Sequence, residues 1–481
     1  MDILRTRLGQ GSRHRTLLLL VIGMILSVMV AYLISLGYWF IALAPLVLIP
    51  LLVLLSIYPF SGVILWLLFM PFVSVSPNPS LAYWIIYRLL PPTLLCLVIF
   101  YRTLKIREYP PARLGPPELA MGIMALIVPV SILLFQTDPN RPLIRFGDRM
   151  IVPFCMYLVI RLIAPREKEI KQLQWLALFI AISQSIIGFL SWVLPQALPQ
   201  VWHYLQGDRT TGSLKDPDLY ASMLIFSAAI LIHGVENHRS GFVRTVLFLA
   251  TGLCFAFAFL SLERAAWLGG IFVIIGLVFL YPKTMLRLII IGSIIMTILG
   301  IGIFSTHIPL LVNRFSEFNP VYDRIVVFDA MVQMVQIKPV WGWGYETLDL
   351  NVQQFYRRVG EATIVTRLVT SHNTYLTILT ELGLAGLGLF MFPVAWWFVL
   401  SIRVWKQMPK KGYWSRSLLA SLWLVMLFNF TVSNFMDMRW YPIGLTLWWL
   451  LLGLIANMVY PYLKGRESRT AVQIDTEYSH G

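Results

Sequence analysis

Four residues in this chain have side chains suited to handling an anion and a proton together: Arg209, Arg264, Arg324 and His372. A guanidinium offers a planar fork of donors that matches phosphate oxygens, and three of them around one cavity suit a diphosphate. A neutral imidazole near pH 7 accepts a proton. Each residue also has a structural reading. An arginine at a loop or helix end snorkels to head groups or solvent, and an isolated interfacial histidine is mostly structural.

The stretch SHNTYLTILTELGLAGLG, residues 371–388, adds spacing to residue type. A helix beginning at His372 brings Gly383 and Gly386 onto the histidine's face, because both lie near whole numbers of turns from it. Glycines there let a neighbouring helix approach closely and fix the histidine. Glu381 falls about half a turn out of phase and roughly 13 Å deeper. It has two readings, a structural hydrogen-bonding partner or part of a site, since an intramembrane carboxylate is costly unless paired or protonated.

Asp323 adjoins Arg324, and Asn373 adjoins His372. Asp437 and Arg439, in NFMDMRWYP, either form a local ion pair or line a cavity. Arg88 lies within an apolar run and requires a partner that the sequence does not identify. The remaining histidines, His14, His203, His233, His238, His307 and His480, show no ligand spacing. No metal site, phosphate-binding glycine loop or G-x-S-x-G elbow is found, so no metal and no cofactor is expected.

These residues must be held by membrane helices. Of 481 residues, 58% are hydrophobic and 13% charged, against about 45–50% and 25% for soluble domains. Apolar runs long enough to cross a bilayer recur along nearly the whole chain. We place spans at 17–36, 39–58, 60–76, 81–101, 118–135, 149–164, 173–194, 218–234, 243–262, 265–281, 285–304, 374–401, 417–435 and 440–460. The expected fold is a single all-α integral membrane domain over 1–481 with about 14 helices, in a range of 11–14. The basic N-terminus precedes a long apolar run that reads as a first span and not as a cleaved signal. Cys96, Cys155 and Cys254 sit in apolar segments as packing residues.

The net charge of +15 reflects orientation. With this count, most Lys and Arg fall on the side of the N-terminus, so both termini are expected in the cytoplasm. Basic loops then meet anionic lipid head groups, and no nucleic-acid partner is expected. Arg209, Arg264, Arg324 and His372 all fall on the opposite, outer side. Two long loops lie there, about 195–217 and 305–373. In the larger, VYDRIVVFDAMVQMVQI reads as an amphipathic surface helix with Ile325, Phe328, Val332 and Val335 on its apolar face. It is followed by KPVWGWGYETL, whose glycines permit tight turns. Residues 465–481 read as a disordered cytoplasmic tail.

The segment HN-x9-GLAG, His372 to Gly386, resembles the H-[NSQ]-x9-G-x-x-G pattern of the O-antigen ligase and polysaccharide polymerase (Wzy-like) superfamily. DRTTGSLKDPDLYA, SLERAAWLGG and DRIVVFDAMVQMVQIKPVWGWGYETL follow the same order, so the resemblance covers roughly 205–400. It implies a GT-C-like bundle in a bacterial inner membrane, with 305–373 as a large periplasmic loop. It also implies a metal-independent, inverting glycosyltransferase that moves a glycan from an undecaprenyl diphosphate carrier to a glycan or lipid acceptor. By analogy Arg209, Arg264 and Arg324 bind the diphosphate and His372 meets the acceptor hydroxyl. Asn373, Asp323, Glu381 and Arg439 are further candidates for substrate contact. Envelope polysaccharide assembly proteins are the expected partners. The chain departs from the family pattern at Asp218, where asparagine is common, and at Glu263, where serine is common.

Other readings are open. The superfamily includes a branch named as bicarbonate carriers, and an anion transporter also uses buried arginines. Internal repeats and interrupted helices, which mark transporters, are not evident in the sequence. A non-catalytic envelope scaffold explains the basic loops but not the outer-face motifs. Ligase and polymerase share the same donor chemistry, and no motif separates them.

Overall fold

The structure, a computed structural model, describes Met24 and residues 50–51, 53–76, 78–105, 114–202, 209–302, 319–357 and 371–478. The chain divides into two units, Met1–Ser61 and Gly62–Gly481, and the second carries all the residues singled out above for chemistry. The spans expected at 17–36 and over most of 39–58 lie outside the described residues.

Helix α1 (Phe60–Phe69) leads into a 3-10 turn, Met70–Val75. Helix α2 is Pro79–Thr103, and α3 is Pro116–Phe135. Helix α4 covers 140–163 and α5 is Glu167–Val193. Next come α6 (Pro217–Asn237), α7 (Gly241–Phe259), α8 (Arg264–Leu280) and α9 (Pro282–Gly302). In the long loop lie α10 (Asn319–Ile337) and the short α11 (Leu348–Asn351). Helices α12 (Thr374–Val404), α13 (Arg416–Val432) and α14 (Pro442–Tyr478) complete the order. The described residues are all helix, turn and loop, with no strand.

Seven of these helices are long and apolar enough to cross a membrane. Three further apolar helices are shorter: Phe60–Val75, Arg264–Leu280 and Arg416–Val432. Among the described residues this stands in place of the expected count of fourteen. Part of the difference is coverage, since the expected spans 17–36 and most of 39–58 lie outside the described residues, and part is length, since the three short helices sit at the lower limit of about 17 residues for a span.

Local chemistry sets the helix starts. Proline, which lacks an N–H that the first turn would leave unbonded, opens α3, α6, α9 and α14. Asp216 caps α6 by accepting from the Leu219 N–H at 2.8 Å. Helix α6 and the Pro442–Leu463 part of α14 are strongly apolar and almost wholly buried, as an all-round hydrophobic helix should be. Helix α6 packs against α5, α7 and α13, and α14 packs against α4 and α12. Helix α14 continues to Tyr478, through the stretch expected to be a disordered tail. That stretch contains no proline, and extending a formed helix avoids the cost of nucleation.

Helix α12 departs most from the expected geometry. It begins at Thr374, behind Asn373 as its cap, and not at His372. It is then interrupted at Gly383, whose φ of 67° and ψ of −168° are not helical and lie in a region that essentially only glycine occupies. The freed backbone groups are bonded by PVWGWG of the long loop. Leu384 N–H donates to Pro339 O at 2.8 Å and Ala385 N–H to Val340 O at 3.1 Å. In return, Trp343 N–H donates to Thr380 O at 3.0 Å and Gly344 N–H to Glu381 O at 2.8 Å. Gly383 therefore admits a strap of loop backbone, where the helical spacing suggests a neighbouring helix. Non-helical backbone at this depth is tolerated because it is enclosed in protein.

Helix α10 also presents a different face from the one its spacing suggests. Val327, Ala330, Met331 and Met334 are buried together with Leu348 and Val352, and Leu376 of α12 packs against them. Ile325 and Val332, on the expected apolar face, are 39% and 44% exposed. Both faces are apolar, and the core formed within the loop takes the one rich in alanine and methionine. Arg324, near the start of α10, is thereby fixed beside the first turn of α12.

Candidate functional site

The loop that carries Arg209 is clamped from inside. Gly212 has φ +55°, a conformation that costs glycine little. Any Cβ there would strike Gln184 and Tyr220. Gln184 in α5 accepts from Ser213 N–H at 3.0 Å and donates to Ser213 Oγ at 2.8 Å, while Tyr220 donates to the Gln184 carbonyl at 3.1 Å. Arg209 leaves this loop to form an ion pair with Glu263. Its Nε is buried and has no hydrogen-bond partner among the described residues, and the same holds for Asp218 Oδ1. Glu263 sits at the cap of α8 and Arg264 opens the helix, after Leu262 in the left-handed region at φ 55°.

Arg324 is half-buried, and its electrostatic surroundings define the site. Burial lowers its pKa most. Glu263 and Asp218 raise it, and Arg264 and Arg209 lower it further. Three guanidinium groups and two carboxylates, from the 209 loop, α6, the α8 start and α10, thus share one neighbourhood. Arg324 also acts on His372, whose pKa is lowered to about 4, first by burial and then by that cation, with Asp437 opposing. His372 is therefore neutral at pH 7. Its backbone is left-handed at φ 51°, an uncommon state for a non-glycine residue.

The chain around His372 is fixed by residues 433–438. Thr374 N–H donates to Ser433 O at 2.9 Å and Thr374 Oγ1 to Met436 O at 3.0 Å, and Met438 N–H donates back to Thr374 Oγ1 at 2.9 Å. Asn373 uses its carbonyl to cap α12 through Leu376 N–H at 2.9 Å and its amide to reach Asn434 O at 3.2 Å. These bonds give Asn373 a structural role at the start of the helix. Ser371 bonds Thr377 and reaches Asp437 Oδ2 at 3.4 Å.

Beneath lies a buried charge cluster. Arg439 donates to Glu381 at 2.6 Å and to Asp437 at 2.9 Å, with all three side chains under 5% exposed. Glu381 and Arg439 are thus partners of each other, which accounts for the intramembrane carboxylate. Glu346 of the loop strap pairs with Arg145 at 2.6 Å and with Arg149. The Trp440 ring lies 4.7 Å from the Arg149 guanidinium carbon. The side chain of Asp323 lies outside the described residues. Motif and spacing do not single out Glu346, Arg145 or Arg149. A signal is nonetheless present, since Arg149 sits at the edge of an apolar span where an unpaired charge is costly.

Arg209 and Arg264 therefore lie within electrostatic reach of Arg324, and Arg324 lies within electrostatic reach of His372. Among the described residues no group of His, Cys, Asp and Glu is arranged to hold a metal ion. Residues 249–391 match the family model described as O-Antigen ligase, so the resemblance read from the motifs holds over this stretch. Arg264, Arg324 and His372 lie inside it, and Arg209 precedes it. No curated protein matches the chain.

Proposed function

We propose that the protein is a membrane glycosyltransferase of the O-antigen ligase or polysaccharide polymerase type. It transfers a glycan from undecaprenyl diphosphate to a sugar hydroxyl at the outer face of the bacterial inner membrane. The observation that carries this reading is the neighbourhood of Arg324. A cluster of guanidinium groups from separate segments meets a neutral histidine, and the family match runs through three of the four residues. The membrane helices support a GT-C-like arrangement, and the placement of basic loops supports cytoplasmic termini.

In this mechanism the acceptor hydroxyl oxygen attacks the anomeric carbon as the bond from that carbon to the diphosphate oxygen breaks. Attack from the opposite side inverts the configuration. Negative charge develops on the departing lipid diphosphate, where Arg209, Arg264 and Arg324 stabilise it more than in the bound donor. His372 accepts the hydroxyl proton or orients the hydroxyl. A histidine with a pKa of about 4 is by itself a weak base. A bound diphosphate offsets the Arg324 charge and raises its basicity, so donor binding prepares the base. Glu263 holds Arg209 until the donor diphosphate displaces it. No metal takes part in these steps.

A bicarbonate-like carrier is the other activity linked to this superfamily. Helix α12 is interrupted, as transporter helices often are, but PVWGWG fills the break where a transporter opens a cavity. Proteoliposomes supplied with lipid-linked glycan and acceptor test the proposal. We expect an elongated or ligated glycan of inverted anomeric configuration, formed without nucleotide sugar and with chelator present. Bicarbonate uptake with no glycan product overturns it.

A further inference from the structure

A cavity of about 550 Å³ opens beside the Arg209 loop, with Ser213 and Leu214 of that loop in its wall. Its volume is within the range of about 300–1,000 Å³ typical of small-ligand sites. Tyr83, Trp84 and Arg88 of α2 line it, and so does Ser74 from the turn after α1.

The backbone here is irregular in two places that meet. Helix α2 contains a π turn at Trp84–Leu89, and α4 contains one at Gly147–Ile151. Such turns occur mostly as single interruptions and frequently at functional sites. Arg88 lies on the first and Asp148 on the second. They form a two-pronged ion pair, Nε to Oδ1 and Nη2 to Oδ2, each at 2.7 Å. This is the partner that Arg88 lacks in the sequence. Tyr87 ties the two turns together by donating to the Asp148 carbonyl at 2.6 Å, and Tyr83 stacks on Tyr87 with ring centres 4.8 Å apart. The Arg88 guanidinium carbon lies 5.4 Å from the Tyr83 ring centre and 5.3 Å from that of Trp84. Trp84 remains 51% exposed.

The wall therefore includes the exposed Trp84 ring, a Tyr83 ring with one face stacked on Tyr87, and Arg88, whose charge is balanced by its pairing with Asp148. An anion meets an arginine already neutralised, and a lipid tail has no use for the polar pair. A pyranose has one C–H face that suits an aromatic ring and a rim of hydroxyls that both donate and accept. We propose that this cavity is a sugar-binding subsite, taking a ring of the transferred glycan or of the acceptor next to the diphosphate site. The assignment deepens the glycosyltransferase reading and rests on it.

The test uses the full-length protein in a detergent without a sugar head group. The probe is the oligosaccharide released by mild acid from the lipid-linked pool of producing cells, freed of lipid and phosphate. Calorimetric titration should show binding to the parent protein and to His372→Ala alike. It should weaken about tenfold in Trp84→Ala, the loss of one aromatic contact, and stay near parental in Trp84→Phe, which retains a ring. In transfer assays Trp84→Ala should raise KM for one substrate. A rise for the donor assigns the ring to the transferred glycan, and a rise for the acceptor assigns it there. Equal titrations for parent and Trp84→Ala, no binding at all, or unchanged KM for both substrates overturns the subsite. Oligosaccharide binding with the expected Trp84 dependence but no transfer overturns the enzymatic reading and leaves the subsite standing.

Discussion

Ala385 donates its backbone N–H to the Val340 carbonyl at 3.1 Å, so the helix that starts beside His372 is completed two turns later by a strap from the loop before it. The strap also carries Tyr345, whose N–H donates to Ser131 in α3 at 3.0 Å, and Glu346, which pairs with Arg145. The backbone interruption thus ties α3, α4 and α12 to one segment.

Gly383 is the residue at this junction that least tolerates change. A Cβ there would collide with the Val340 carbonyl and impose a glycine-only conformation, with strain of about 1–3 kcal/mol before the collision is counted. Gly383→Ala is expected to lower the thermal midpoint of the purified protein clearly, and Gly388→Ala, with open space around it, to leave it near parental.

The Glu381–Arg439–Asp437 cluster gives a second expectation. Removing one member of a buried pair leaves a charge without compensation, at a cost of about 3–5 kcal/mol. Arg439→Met, which leaves both Glu381 and Asp437 without their cation, should clearly reduce folded yield and thermal midpoint, and Glu381→Gln, which keeps the Arg439–Asp437 pair, should cost less. Their double substitution should recover part of the loss, which a double-mutant cycle reads directly.

The depressed pKa of His372 predicts a pH response. The folded value of about 4 lies below the ordinary value of about 6.5, so the neutral form is favoured by folding. Its contribution to stability is fully present above pH 6.5 and is lost as pH falls through 4. The acid limb of kcat/KM, which reports the free enzyme, should likewise lie near pH 4. Arg324→Gln removes the repelling cation and should move that limb upward while lowering the rate.

Glu263 competes with the donor for Arg209. Glu263→Gln should therefore let inorganic pyrophosphate inhibit transfer at about tenfold lower concentration, the scale of one charge-assisted hydrogen bond. Unchanged inhibition would mean that the carboxylate only orients the guanidinium.

Part of the fold and of the site is legible in the sequence. Apolar run lengths locate the helices, because a span needs a minimum length. Motif order points to three arginines and one histidine, and the charges of Arg209 and Arg264 act on Arg324, which acts in turn on His372. The rest is decided by distant partners. Arg88 meets Asp148 from another helix, and Glu346 meets Arg145 and Arg149, pairings that local spacing cannot report. Gly383 reads as a small packing residue in an apolar run because a helix break leaves no polar trace when its carbonyls and N–H groups are bonded by a strap. Helix α10 carries apolar residues on two faces, so periodicity alone does not choose between them.

The central claim, that Arg324 and His372 act together on a lipid diphosphate donor and an acceptor hydroxyl, is tested most directly by glycan transfer in proteoliposomes containing the parent protein, His372→Ala or Arg324→Gln at matched folded content. The account predicts transfer by the parent protein that falls about 100-fold or more in each variant, the scale of a lost general base or charge-stabilising donor. Parental rates of transfer in either variant would contradict it.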